Sequence, residues 1–252
     1  MTDAPVIPTQ PLVFSAVELE QFLERCGAGN AFRTRRDVME RFFADLGDFN
    51  RHTNLTRIVE YAEFWIKHIA DSLAAGLVLP ELLTQPLRTA DVGPGAGFPY
   101  FPLGWVNPDL RLTGIEVNSK KVEFLVAETA RLDFANCNVI GRQAREVGRL
   151  PEHLGKYDAV VARAVSNPAN LVKESRQLLA PHATLLVYST PIAVAEHREL
   201  ARREAHKYGL AMTTSAIIDL PCHAGQRQFF IFRKIQPGSG NAAGTGHINR
   251  IL

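Results

Sequence analysis

The sequence predicts an α/β protein: a seven-stranded, mostly parallel sheet with helices on both faces and an N-terminal helical cap. Three observations carry this expectation. From Leu87 onward, short β-prone runs alternate with longer helical patterns, the rhythm of a parallel sheet with helical crossovers. A glycine-rich turn joins the first of those runs to the first of those helices. The last two runs have no helix between them, so they are expected to pair antiparallel at one edge.

The elements follow in chain order. Residues 1–14, with Pro5, Pro8 and Pro11, read as an extended arm. Ser15 opens a helix and forms a capping box with Glu18: the hydroxyl accepts from a free amide while the carboxylate reaches back. Leu19, Phe22 and Leu23 form its apolar stripe, and Gly27 or Gly29 stops it. A second helix is expected from about Thr34, with Asp37 three residues later. Val38, Met39, Phe42, Phe43 and Leu46 recur there at helical spacing. A third covers about 60–77, which completes a cap over 15–80. In the domain at 87–235, strands are expected near 87–92, 111–116, 137–140, 157–162, 183–188, 211–218 and 228–233. Helices are expected near 99–106, 119–132, 168–179 and 192–208. The tail 236–252 has four glycines between Pro237 and Gly246 and reads as a flexible extension.

Composition narrows the function classes. The 252 residues are 46% hydrophobic and 21% charged, enough apolar material for a core, so disorder is excluded as the main state. No apolar run reaches membrane-spanning length; the best, 64–79, is broken by Lys67, His68 and Asp71. The N-terminus has no basic segment before an apolar run and does not read as a signal peptide. Cys26, Cys137 and Cys222 form neither a zinc pattern nor an even disulfide set, which fits a cytoplasmic protein without a metal. The net charge of +2 argues against a bulk electrostatic binder. Residues 1–80 carry 8 Lys+Arg against 11 Asp+Glu, so the positive excess lies in the second part.

The stretch Thr89-Ala-Asp-Val-Gly-Pro-Gly-Ala-Gly-Phe98 is the most informative. Gly93, Gly95 and Gly97 permit a tight turn and let a ligand approach bare backbone. The next helix offers free amides, and Pro99 fits its first turn. A plain strand–helix turn that favours glycine is the alternative. The spacing is G-x-G-x-G, with Phe98 where a dinucleotide fold places its third glycine, which disfavours a nicotinamide dehydrogenase. With Asp91, the segment resembles motif I of S-adenosylmethionine-dependent methyltransferases. Glu116 ends the second strand, 23 residues after Gly93, where a carboxylate can accept from both ribose hydroxyls. Its alternative is a carboxylate favoured by a helix N-terminus.

Further segments resemble one family, the bacterial glucose-inhibited division protein B family, guanine-N7 methyltransferases of small-subunit 16S ribosomal RNA. They are Phe49-Asn-Arg-His-Thr-Asn-Leu-Thr56, His68-Ile-Ala-Asp-Ser-Leu73, the loop Asp91 to Pro99, and Ser119-Lys-Lys-Val-Glu-Phe-Leu125. Tyr157-Asp-Ala-Val-Val-Ala-Arg-Ala164 and Pro221 to Lys234, with Gly225 and Arg227, complete the set. Together they cover roughly 40–235. The resemblance implies a Rossmann-like class I methyltransferase fold, S-adenosyl-L-methionine as cofactor, and 16S ribosomal RNA or the small subunit as partner of a monomer.

It also implies roles. Asp91, Gly93, Gly95, Gly97, Phe98, Glu116, Gln143, Ala144 and Arg163 would bind cofactor, with Arg163 also beside the target base as the catalytic residue. Asn54, His68, Asp71 and Arg227 would serve substrate binding at the cap and rim. The chain departs from the family at Gln143-Ala144, where an acid usually follows the arginine, and at Tyr188-Ser189-Thr190, which lacks the lysine of a Tyr-Lys-Gly element. The second departure supports an alternative, a catalytically degenerate methyltransferase fold that binds RNA or a ligand.

Transfer to guanine N7 uses a lone pair without a proton, so positioning rather than a base provides the acceleration. Rival chemistries lack their marks. Ser166-Asn167-Pro168-Ala169 has no second proline or aromatic residue for amine methylation and reads as a helix start. Pro221-Cys222 lies after the sixth strand and reads as a structural cysteine. His197, Glu204 and His206 do not have metal-binding spacing. Arg198, Arg202, Arg203 and Lys207 alternate with acids as on a salt-laced surface, and Arg33, Arg35, Arg36 and Arg41 would suit folded RNA. Arg163 itself also fits an ion pair at a sheet edge.

Overall fold

A computed structural model describes residues 12–132, 134–163 and 167–234. The expected arm up to residue 11, the tail 236–252, Ala164 and Ser166 lie outside the described residues.

The cap begins with α1 (Ala16–Arg25) and α2 (Gly29–Thr53). A composite helix follows: α3 (Tyr61–Glu63), a π-helical segment Phe64–Ala70, α4 (Asp71–Leu73) and a 3-10 turn Ala74–Leu77. After the short α5 (Glu81–Thr84) come β1 (Arg88–Val92), α6 (Tyr100–Val106), β2 (Arg111–Ile115), α7 (Ser119–Arg131) and β3 (Cys137–Ile140). Next are α8 (Ala144–Val147), β4 (Tyr157–Ala162), α9 (Pro168–Ser175), β5 (Leu179–Ser189) and α10 (Pro191–Lys207). The described residues end with β6 (Leu210–Thr214), β7 (Ile218–Asp219) and β8 (Gln226–Lys234).

The sheet is eight-stranded, in the order β3-β2-β1-β4-β5-β8-β6, with β7 pairing β8. That is one strand more than expected: the run at 211–218 breaks into β6 and β7. β1 to β5 pair in parallel, and β8 is antiparallel to both β5 and β6. The central strands are buried on both faces. Ala159, Val161, Leu186 and Tyr188 join the core under the cap, α6 and α7. Val160, Ala162, Leu185 and Val187 join the opposite core under α8, α9 and α10. This is why β4 and β5 read as continuous apolar runs.

Two cap expectations need correction. α2 starts at Gly29 rather than about Thr34, with no side-chain cap. Thr34 donates its hydroxyl to the Asn30 carbonyl at 3.0 Å, a mid-helix habit, and Asp37 pairs with Arg41 at 3.2 Å. At α1, the Ser15 hydroxyl accepts from the Glu18 amide at 3.3 Å as expected. The Glu18 carboxylate does not return to Ser15; it accepts from the Cys222 amide at 2.9 Å.

Phe42 docks the cap on the domain. Fully buried, it packs against Phe101 with centroids 4.8 Å apart, Trp105 at 5.2 Å, and Phe98 and Phe124 at 5.8 Å. A buried Phe of this kind contributes about 3–5 kcal/mol relative to alanine. The packing fixes the loop that bears Phe98 against α2.

Candidate functional site

In the strand order the direction of winding reverses between β1 and β4, and a crevice opens there at the carboxyl ends of the strands. The glycine loop follows β1, Glu116 follows β2, Arg163 follows β4 and Ser189 ends β5, so all four converge on one rim.

On one side lies the loop. Gly93, Gly95 and Gly97 have φ of 74°, 61° and 95°. A Cβ at Gly97 would stand 2.1 Å from the Phe101 ring, so both backbone and packing require glycine. At Gly95 the nearest atom to an added Cβ is Lys121 Nζ at 4.0 Å, which leaves bare backbone facing open space. Glu116 is buried. One of its oxygens accepts from the Gly95 amide at 3.1 Å; the other accepts from the amides of Val117 at 2.9 Å and Asn118 at 3.0 Å. The carboxylate therefore ties the loop to the start of α7, the arrangement that the helix-terminus reading expects.

Asp91 is fully buried, and neither carboxyl oxygen has a partner in good hydrogen-bond geometry, the Tyr100 amide being the donor that lies near. Burial pushes its pKa up to about 8 against the pull of the Arg163 guanidinium and of the Tyr100 amide. An orphaned buried acid beneath bare glycine backbone fits a ligand with an ammonium group and a face that lies against main chain. S-adenosylmethionine has that donor set.

The other side is built from distant segments. Asp71, 3% exposed at its side chain, accepts from Arg227 Nε at 2.6 Å and Nη2 at 2.7 Å, and from Arg163 Nη1 at 3.0 Å. Within the π-helical segment, the Lys67 carbonyl accepts from Arg163 Nη1 at 2.8 Å. Arg163 Nη2 reaches His68 Nδ1 at 3.1 Å. Arginine has only donors, so Nδ1 accepts and the neutral ring donates from Nε2 to Thr56 Oγ1, 3.2 Å away. Burial, aided by Arg163, holds His68 well below the usual histidine range. The His68 ring stacks on Phe98 with centroids 3.9 Å apart and planes at 4°, and the Arg163 guanidinium lies 5.4 Å from the Phe98 ring.

Thr56, Lys67, His68, Asp71, Arg163 and Arg227 line a cavity of about 800 Å³. Its charged lining is Arg57, Lys67, Lys121, Arg163 and Arg227 against Asp71, so it favours an anion. The expected residues His68, Asp71, Arg163 and Arg227 meet directly. Asn54 is exposed and ends α2 in the left-handed conformation, φ 52°; Thr56 makes the contact to His68 instead. Gln143 caps α8 through a box with Glu146, and Ala144 is in the core on that face of the sheet. Ser189 and Thr190, where the family lysine is lacking, line the cavity, and Arg227 donates to the Ser189 carbonyl at 3.1 Å. Sequence reasoning missed the Lys67 carbonyl and Tyr188, whose hydroxyl donates to the Ser72 carbonyl at 2.5 Å.

Among known families, rRNA small subunit methyltransferase G (GidB) matches residues 35–220. A curated relative named ribosomal RNA small subunit methyltransferase G, from Lactobacillus delbrueckii subsp. bulgaricus, is 32% identical over 79% of this chain and 83% of its own length. One of the same name from Sorangium cellulosum is 35% identical over 70% of this chain and 78% of its own. Two solved structures share the fold. A SAM-dependent methyltransferase from Aquifex aeolicus has a TM-score of 0.51 at 16% identity, covering 72% of this chain and 96% of that one. A SAM-dependent O-methyltransferase from Thermotoga maritima has 0.53 at 12%, covering 77% and 73%. The fold is thus the Rossmann-like one of class I methyltransferases. With most of its length aligned to relatives of one name, the chain belongs to the rRNA small subunit methyltransferase G family.

Proposed function

We propose that the protein is an S-adenosylmethionine-dependent methyltransferase that methylates guanine N7 of 16S ribosomal RNA in the small subunit, as a cytoplasmic monomer. Family membership supports the reaction class. One observation carries the chemistry: beside a cofactor loop, the cavity offers no free base among its described residues. His68 has both ring nitrogens committed, Asp71 is held by two arginines, and the Tyr188 hydroxyl donates to a carbonyl. Guanine N7 carries no proton, so the reaction needs none; it needs alignment and exclusion of water.

The cofactor supplies an electrophilic methyl group. Asp91, Gly93, Gly95, Gly97, Phe98 and Glu116 hold it, with Gln143 and Ala144 at the outer edge. Arg163, kept rigid by Lys67, His68 and Asp71, orients the target base as the catalytic residue. His68, Asp71 and Arg227, with Asn54 at the cap end, shape the substrate side, whose cations meet the RNA backbone.

The test is transfer of labelled methyl from S-adenosylmethionine to undermethylated small subunits. Wild-type protein transfers label. Arg163→Ala loses transfer but keeps its fold, because Arg227 still pairs with Asp71. Wild-type turnover by Arg163→Ala contradicts the role. Cofactor binding without any transfer would favour the ligand-binding alternative.

A further inference from the structure

The hairpin that closes the sheet carries a feature the reaction does not use. Between β7 and β8, Cys222 and His223 are adjacent non-glycine residues with φ of 57° and 54°. L side chains hold that conformation only where the surroundings impose it. Here the imposing element is α1, far away in sequence. The Cys222 amide donates to Glu18 Oε2 at 2.9 Å, and the Ser15 amide donates to Cys222 Sγ at 3.2 Å. Cys222 thus inserts into the capping box of α1: its N–H takes the carboxylate and its sulfur takes the amide that Ser15 and Glu18 would otherwise exchange.

The same turn is a wall of the cavity. Leu220 and Ala224 line it, as does Arg227 at the start of β8, which grips Asp71. No residue of the glycine loop lines that cavity among the described residues. From this we infer that α1 is a positioning element for the substrate half of the site. Glu18, through Cys222, fixes the turn and so sets the wall and the aim of Arg227, leaving the cofactor half untouched. The inference rests on the RNA-methyltransferase reading of the cavity.

Glu18→Ala tests it. Loss of a charge-assisted bond should weaken binding of undermethylated small subunits by about tenfold. The dissociation constant for S-adenosylmethionine should stay at the wild-type value, and amide exchange over 220–227 should accelerate. Glu18→Gln should restore both subunit affinity and protection, because its amide oxygen accepts the same N–H. Unchanged subunit affinity in Glu18→Ala overturns the inference. So does equal weakening of subunit and cofactor binding, which is the mark of general destabilisation. Should the wild type bind subunits but transfer no methyl, the function reading fails and the positioning role is still decided by affinity. Should it bind no subunits, exchange decides, and unchanged protection over 220–227 in Glu18→Ala sinks the latch.

Discussion

On the glycine-loop side of the cleft, the stretch 89–98 supplies the turn, the glycines and a buried carboxyl with neither oxygen in good hydrogen-bond geometry. On the cap side, His68, Asp71, Arg163 and Arg227 come from three distant segments and are bonded to one another. The first half is locally encoded and leaves polar groups unmatched by the protein. The second is assembled across the chain and satisfied within it. The difference teaches how each half is specified: one by the backbone demands of a short turn, the other by a preorganised network that only the complete fold brings together.

Breaking the satisfied half has the largest expected effect. Asp71→Ala leaves two guanidiniums, 12% and 18% exposed, without their shared carboxylate. Loss of one partner from a buried pair costs about 3–5 kcal/mol, to be read in denaturant unfolding. A loss below 1 kcal/mol would mean the network is not the wall described.

Breaking the glycine-loop half is expected to affect cofactor binding more than the fold. Glu116→Ala removes the acceptor that ties Gly95 to the start of α7 and that faces the cofactor in the proposed reading. Cofactor affinity should fall by about tenfold or more, the worth of a charge-assisted hydrogen bond. An unchanged dissociation constant by calorimetry would refute the ribose role.

In pH dependence the two halves move in opposite directions. His68 is held below the ordinary value of 6.5, so the unfolded chain takes up a proton that the native chain refuses. Its contribution is present above 6.5 and is lost as pH falls towards the folded value. Asp91 is raised from 3.8 to about 8, so its contribution is full below 3.8 and is lost progressively as pH rises to about 8. Without cofactor, Asp91→Asn should remove that fall between 3.8 and about 8 and leave the slope above about 8 unchanged. An unchanged profile would contradict the burial assigned to Asp91.

Legibility in the sequence follows the same division. β4 lies where its apolar run placed it, because a strand buried on both faces declares itself in composition. The glycine loop was legible because φ above zero and close approach demand glycine itself. His68, Asp71, Arg163 and Arg227 were found by resemblance, since nothing local signals that residues 156 positions apart share a hydrogen bond. The π-helical segment at 64–70 was not legible: its apolar spacing suits an α-helix equally well. The capping box at Ser15 was read correctly for its hydroxyl. It failed for its carboxylate because Cys222, from the other end of the chain, competes for it.

The most direct measurement is mass spectrometry of nucleosides from undermethylated small subunits after incubation with the protein and S-adenosylmethionine. New 7-methylguanosine in 16S ribosomal RNA, dependent on Arg163, is the expected result. Methyl groups on ribose or on an exocyclic amine, or none at all with cofactor bound, would contradict it.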